Sequence, residues 1–140
     1  MPKPKVLVET HFRALDSVFA PEQLERLRSF ADVVWARDGA MPSEDYVAIR
    51  DDVEAIVSGG WRQGDVADWP RLRAIMEVGG RHPSPDVLDY EHCFAQSIRV
   101  LSCAPAYGPS VAEMALGLAI AAGRQLIDGH VAITRGDEVW

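Results

Sequence analysis

The sequence predicts an α/β chain built on a five-stranded parallel sheet with helices on both faces. Three observations carry this. Short apolar or β-branched runs alternate with helix-patterned segments along the chain. Two of those runs, the third and fourth, end on paired glycines, Gly59-Gly60 and Gly79-Gly80. The composition, 48% hydrophobic and 25% charged over 140 residues, is that of an ordinary globular domain. A chain of this length can hide roughly two-thirds of the surface that it exposes unfolded.

Lys5 to Glu9 is the first strand, an apolar run after a proline-rich start. Pro21 opens a helix after Ala20, with Leu24, Leu27 and Phe30 on one face. Asp32-Val33-Val34-Trp35 makes the second strand, and Ser43 caps the next helix, which carries Tyr46. Ala55-Ile56-Val57 is the third strand, ending at Ser58-Gly59-Gly60. A short helix from Val66 to Trp69 precedes the fourth strand, Leu72 to Val78, which ends at Gly79-Gly80. Pro85 and Asp86 start a helix through Phe94, and Ile98 to Leu101 is the fifth strand. Pro109 begins a long helix, about 25 Å from Ser110 to Leu126 at 1.5 Å per residue. Apolar residues nearly encircle it, so it is expected to be covered on most sides. A helix after each of five strands is the flavodoxin-like, three-layer α/β/α arrangement.

Charge narrows the partners. A net charge of -7 and a pI near 5.0 leave no basic stripe for phosphates, so nucleic acid is not expected. The start, Met-Pro-Lys-Pro-Lys, leads into an apolar stretch too short for a signal-peptide core. The longest apolar run, Val111 to Gly123, falls short of the roughly 20 residues that span a bilayer. A cytoplasmic protein with no membrane partner is the expectation. Cys93 and Cys103 form no CxxC pair, so both read as structural and no metal site is expected.

From Leu72 onward the residues resemble a known family. Leu72-Arg73-Ala74-Ile75-Met76-Glu77-Val78-Gly79-Gly80 resembles the strand and glycine turn of D-isomer-specific 2-hydroxyacid dehydrogenases. Asp86-Val87-Leu88-Asp89 stands where that family has an Asp-x-x-Asp helix start. Ile98 to Pro105 is similar to its next strand and turn, and Ser110-Val111-Ala112-Glu113-Met114 to its Val-Ala-Glu helix. Gly136 to Trp140 resembles the Gly-x-x-x-Trp before its nucleotide domain. The chain departs at Gly79-Gly80-Arg81-His82-Pro83-Ser84-Pro85-Asp86, where the family usually reads Gly-Val-Gly-Val-Asp, and at Tyr107 and Met114.

The resemblance implies the N-terminal, substrate-binding and dimer-forming part of an NAD(P)-dependent enzyme, ending before its NAD-binding domain. Residues 1–105 would form the substrate-side domain, and 106–140 the linking helix and the start of the nucleotide-binding domain. The family's Gly-x-Gly-x-x-Gly turn and its catalytic Arg, Glu and His belong to that later domain. This sequence has no such turn, so no catalytic residue is assigned, and NAD or NADP is not expected to bind tightly here. The ligand implied is a small 2-hydroxy or 2-keto acid, and the assembly implied is a homodimer. Ser58, Gly59 and Gly60 would face the substrate, and backbone N–H groups of Val78, Gly79 and Gly80 would bind its carboxylate. Glycine suits that work, because backbone meets an anion only where no side chain intervenes. Tyr107 and Ser110 would approach the cofactor.

Other candidates read more plainly. Arg81 and His82 adjoin a glycine turn but have no orienting carboxylate and read as solvated loop; His11 could line the same cleft. His92 and His130 read as surface or packing residues. Glu113, inside an apolar run, reads as a buried carboxylate that needs a partner, and the resemblance implies that it helps fix the long helix at the domain junction. The acids Asp51-Asp52 and Glu22 with Glu25 read as solvated faces. The alternative function is a stand-alone, non-catalytic α/β binding or dimerisation module. A receiver-type signalling domain shares the strand pattern, but Glu9 and Ser58 stand where it needs an acidic pair and an Asp.

Overall fold

The computed structural model describes residues 2–137. Five parallel strands form one sheet in the order β2-β1-β3-β4-β5, with β1 Lys5–Glu9, β2 Asp32–Arg37, β3 Val53–Ser58, β4 Ala74–Glu77 and β5 Arg99–Ser102. This is the flavodoxin-like order, with its switch point between β1 and β3. The helices α1 Leu15–Val18, α2 Pro21–Phe30, α3 Ser43–Ile49 and α4 Tyr90–Ala95 connect the strands. They are followed by α5 Ala104–Gly123 and α6 Leu126–Arg135.

Strand alternation builds two apolar layers. Leu7, Ile56 and Ile75 point to one face and join Tyr46 of α3, Trp61, Val66, Trp69, Leu88 and Cys93 of α4. Val6, Val8 and Val57 point to the other and meet Leu15 and Val18 of α1 and Leu27 of α2. That second layer is thinner. Met76 and Leu101, paired across β4 and β5, are 39% and 48% exposed.

Several boundaries differ from the sequence reading, each for a local reason. Ser43 is the first residue of α3 and caps nothing; Pro42 precedes it. β3 is followed only by a 3₁₀ turn, Val66–Asp68, where Asp65 accepts the Ala67 N–H at 2.9 Å. α4 starts at Tyr90, not Pro85, because the Asp89 carboxylate caps the His92 N–H at 2.9 Å while Ser84 to Leu88 close a separate turn. α5 starts at Ala104 and keeps Pro109 inside it; the Ser102 hydroxyl takes the Ala104 N–H, and Pro105 favours a first turn. None of its residues is buried, so the expected covering is not present and Glu113 is exposed.

Two helices were not expected at all. α1 is a single turn, and α6 follows a left-handed Gln125 (φ +52°) and closes on Gly136 (φ +74°), whose neighbour Asp137 donates back to Ala132. The Gly136–Trp140 resemblance runs into residues 138–140, outside the described residues. Chain contacts divide the molecule into two compact units, meeting in sequence at Ala104 and Pro105. Among the described residues no single helix is both long and apolar enough to cross a membrane; α5 and α6 meet that combination only together and are bent by 56° at their break.

Candidate functional site

The carboxyl ends of β3 and β4 open into a cleft of about 660 Å³, walled by Gly59, Gly60, Gly79 and Gly80. Phe12, in the loop after β1, and Arg81 and His82, in the loop after β4, complete its rim. A cleft of about 460 Å³ lies at the opposite, amino ends of β4 and β5, beside Arg71, Arg73 and His92. Ligands of open α/β sheets bind at the carboxyl ends, so the glycine-walled cleft is the candidate site.

Each glycine there has a different physical reason. A Cβ on Gly59 would sit 2.7 Å from the Thr10 carbonyl oxygen and 3.0 Å from the Phe12 ring, so backbone packs directly on this position. Gly60 has φ +131°, a conformation that a side chain disfavours. The Ser58 side chain is buried and its hydroxyl donates to the Gly60 carbonyl at 3.0 Å, fixing the turn from below.

Under this turn lies a polar cluster that the sequence reading did not assemble. Glu9, at the end of β1, is fully buried. Its carboxylate accepts the Tyr46 hydroxyl at 2.8 Å, the Gln63 amide at 2.7 Å and the Met41 N–H at 2.6 Å. One acid thereby ties the segment after β2, through Met41, and the loop after β3, through Gln63, to the end of β1. Burial and the Glu9 hydrogen bond push the Tyr46 hydroxyl pKa far up, so it stays a donor.

His11 adjoins the cluster with φ +54° and a side chain 2% exposed. Its Nε2 lies 3.3 Å from the Gln63 amide nitrogen, which makes that ring nitrogen the acceptor, and its Nδ1 lies 3.9 Å from Glu9 without a hydrogen bond. Burial pulls the His11 pKa below its ordinary value, against the opposing charge of Glu9 and with the help of Arg62. His11 is therefore buried beside the Glu9 cluster and does not line the cleft.

A strand irregularity serves the same end of the sheet. Register shifts between Val8 and Glu9, so that Glu9 pairs Arg37 and Ala36 is the extra residue. Trp35 and Ala36 take φ +68° and +40°, and the Arg37 guanidinium stacks 3.6 Å over the Trp35 ring. The bulge turns the chain toward Asp38, whose carboxylate takes the Leu15 N–H at 2.6 Å at the start of α1.

The β4 turn is less open than the sequence implied. The Val78 N–H continues the ladder to Ser58 O at 2.9 Å. The Gly79 N–H donates to the Glu77 side chain at 3.0 Å, and the Gly79 carbonyl accepts from Cys103 at 3.0 Å. Glu77 itself is buried against the cleft wall. Ser58, Gly59, Gly60, Val78, Gly79 and Gly80 thus lie at neighbouring strand ends, while Tyr107 and Ser110 lie on α5, in the second unit, both exposed. His92 lines the cleft at the amino ends, His130 is exposed on α6, Cys93 is buried in the core and Cys103 is partly exposed. Among the described residues no group of three His, Cys, Asp or Glu side chains is placed to hold a metal.

Glu9 and Glu77 carried a signal in the strands alone. Glu9 follows Leu7, and Glu77 follows Ile75, by two residues, so alternation puts both acids on a core face where a carboxylate needs donors. Tyr46 and Gln63 had no such pattern and are brought in by tertiary packing.

No protein-family model matches the chain, and no curated protein matches it in sequence. Solved structures do match. A phosphoglycerate oxidoreductase from Rhizobium etli superposes with a TM-score of 0.67 at 25% identity, covering 99% of this chain and 42% of that one. An acyclic imino acid reductase, solved with NADPH and D-Arg, superposes with a TM-score of 0.59 at 13% identity, covering 97% of this chain and 43% of that one; this is a likeness of fold. The chain therefore spans about two fifths of the length of both structures. In architecture it is an oxidoreductase-like α/β module.

Proposed function

We propose that this chain is the substrate-side part of an NAD(P)-dependent oxidoreductase of the D-2-hydroxyacid dehydrogenase family, acting on the CH–OH group of a small 2-hydroxy acid. The observation that carries the reading is the glycine-walled cleft at the carboxyl ends of β3 and β4. Its supports are the family-like residues from Leu72 onward and the likeness to the Rhizobium etli oxidoreductase. In this reading Ser58, Gly59 and Gly60 form one wall, and the turn of Val78, Gly79 and Gly80 the other. The ligand is a small hydroxy or keto acid, with Arg81 adding positive charge at the rim. The first 105 residues make the substrate-side domain. Those that follow make a linking helix on which Tyr107 and Ser110 face the cofactor.

The residues of this chain do not by themselves fit a dinucleotide. The sequence has no Gly-x-Gly-x-x-Gly turn, and the start of α5 presents Pro105, Tyr107 and Pro109 where a pyrophosphate needs close backbone. Hydride transfer is accordingly assigned to the complete enzyme. The exposed apolar residues of α5 and α6, Val111, Leu118 and Ile127 among them, support a homodimer as the working assembly.

The experiment is a titration of the full chain with sodium glycolate and with D-glycerate, followed by the backbone amide signals of Gly60, Gly79 and Gly80 and by NADH fluorescence. The expected result is a saturable shift at these glycines and none in NADH emission. Shifts confined to other residues would overturn the site.

A further inference from the structure

We infer that Glu77 is a specificity-determining residue of the cleft: its own carboxylate occupies the Gly79 amide that an anionic ligand would need, so such a ligand binds only by displacing it. The inference rests on the reading that this cleft takes a small acid.

The β4 turn offers three consecutive N–H groups to an anion. Val78 donates to Ser58 O at 2.9 Å and is committed to the sheet. Gly79 donates to Glu77 Oε1 at 3.0 Å. Of the three, only the Gly80 N–H has no hydrogen-bond partner among the described residues. The contact is close: a Cβ on Gly79 would lie 3.1 Å from the same oxygen, so the carboxylate sits directly over this glycine. Glu77 shares its strand face with Ile75, which is fully buried, and is itself 7% exposed while lining the cleft. The side chain therefore imitates, from within the chain, the bound carboxylate of a ligand.

The surrounding charges fit a displaceable group. Burial raises the Glu77 pKa, while the Gly79 N–H and the Arg13 guanidinium pull it down. Arg13 lies over the Phe12 ring, and its Nε has no hydrogen-bond partner. Arg81 and His82 stand on the rim. An entering carboxylate would share the Arg13 and Arg81 guanidinium groups with Glu77, and two carboxylates in one site repel unless one moves or is protonated. The cleft thus discriminates against small anions with few other contacts, and favours a ligand whose further groups offset that cost.

The test compares the full-length wild type with E77A and E77Q, titrating each with sodium glycolate by calorimetry and by the Gly79 amide signal. E77A frees the amide; E77Q keeps an acceptor beside it without the charge. The expected result is that E77A binds glycolate about 10-fold or more tighter than wild type, with E77Q between them. Equal affinity in all three, with Gly79 shifting in each, would overturn the inference and leave the cleft reading standing. No Gly79 response in any of them would overturn the cleft reading and the inference with it. Should E77A fail to fold, the near-isosteric E77Q decides alone: no gain in affinity there overturns the inference.

Discussion

Glu9 shows how much a single buried charge can organise. Three donors from three separate segments, Tyr46, Gln63 and Met41, converge on its carboxylate. Removing one donor leaves a buried acceptor short of a partner, which costs about 1–3 kcal/mol. Tyr46→Phe is expected to lower stability by that amount in urea unfolding, and an unchanged midpoint would show the hydroxyl to be dispensable. His11 gives a pH signature at the same place. Burial depresses its folded pKa below the ordinary 6.5, so the unfolded chain binds the proton more readily. Its contribution to stability is full above pH 6.5 and is lost as pH falls from there through the lowered folded value. Thermal unfolding is therefore expected to lose midpoint temperature from about pH 6.5 downward, with the loss reduced in His11→Asn. An equal slope in that variant would assign the acid sensitivity elsewhere.

At the scale of elements, the turn after β3 is held by close packing as well as by hydrogen bonds. Gly59→Ala places a methyl 2.7 Å from a backbone oxygen, which must move. Such overpacking costs about 1–3 kcal/mol, and the variant is expected to unfold at lower urea and to lose the glycolate response at Gly60. Retention of both would mean that the turn relaxes freely. The strands were the legible part of the sequence. Lys5–Glu9 extends one residue beyond each end of its apolar run, Val6 to Val8, because a central strand with both faces covered is written as continuous hydrophobicity. Helix starts were less legible, since Asp89 and Ser102 competed with Pro85 and Pro109 as punctuation and the side-chain hydrogen bonds decided. The two glycine turns were visible as candidate walls. That Gly79 is already occupied was not, because it depends on the rotamer of Glu77 and no periodicity encodes that.

Across the whole molecule, burial is unevenly shared between the two units. β1 and β3 each pair with two neighbours, and Leu7, Val8, Val53 and Ile56 are fully buried. α5 and α6 have no buried residue, while Met114, Leu116 and Leu118 are each about two-thirds exposed. Local opening follows buried contacts, so amides with few of them open at far lower free energy than the global transition. Native-state hydrogen exchange of the monomeric chain at micromolar concentration is expected to leave β1 and β3 amides protected to global unfolding. Those of Val111 to Ile133 should exchange faster by several orders of magnitude. Comparable protection in both units would require the apolar helix surfaces to be covered in solution. Dilution then separates the causes: protection that falls with concentration belongs to a second copy of the chain, and protection that does not belongs to contacts within one copy.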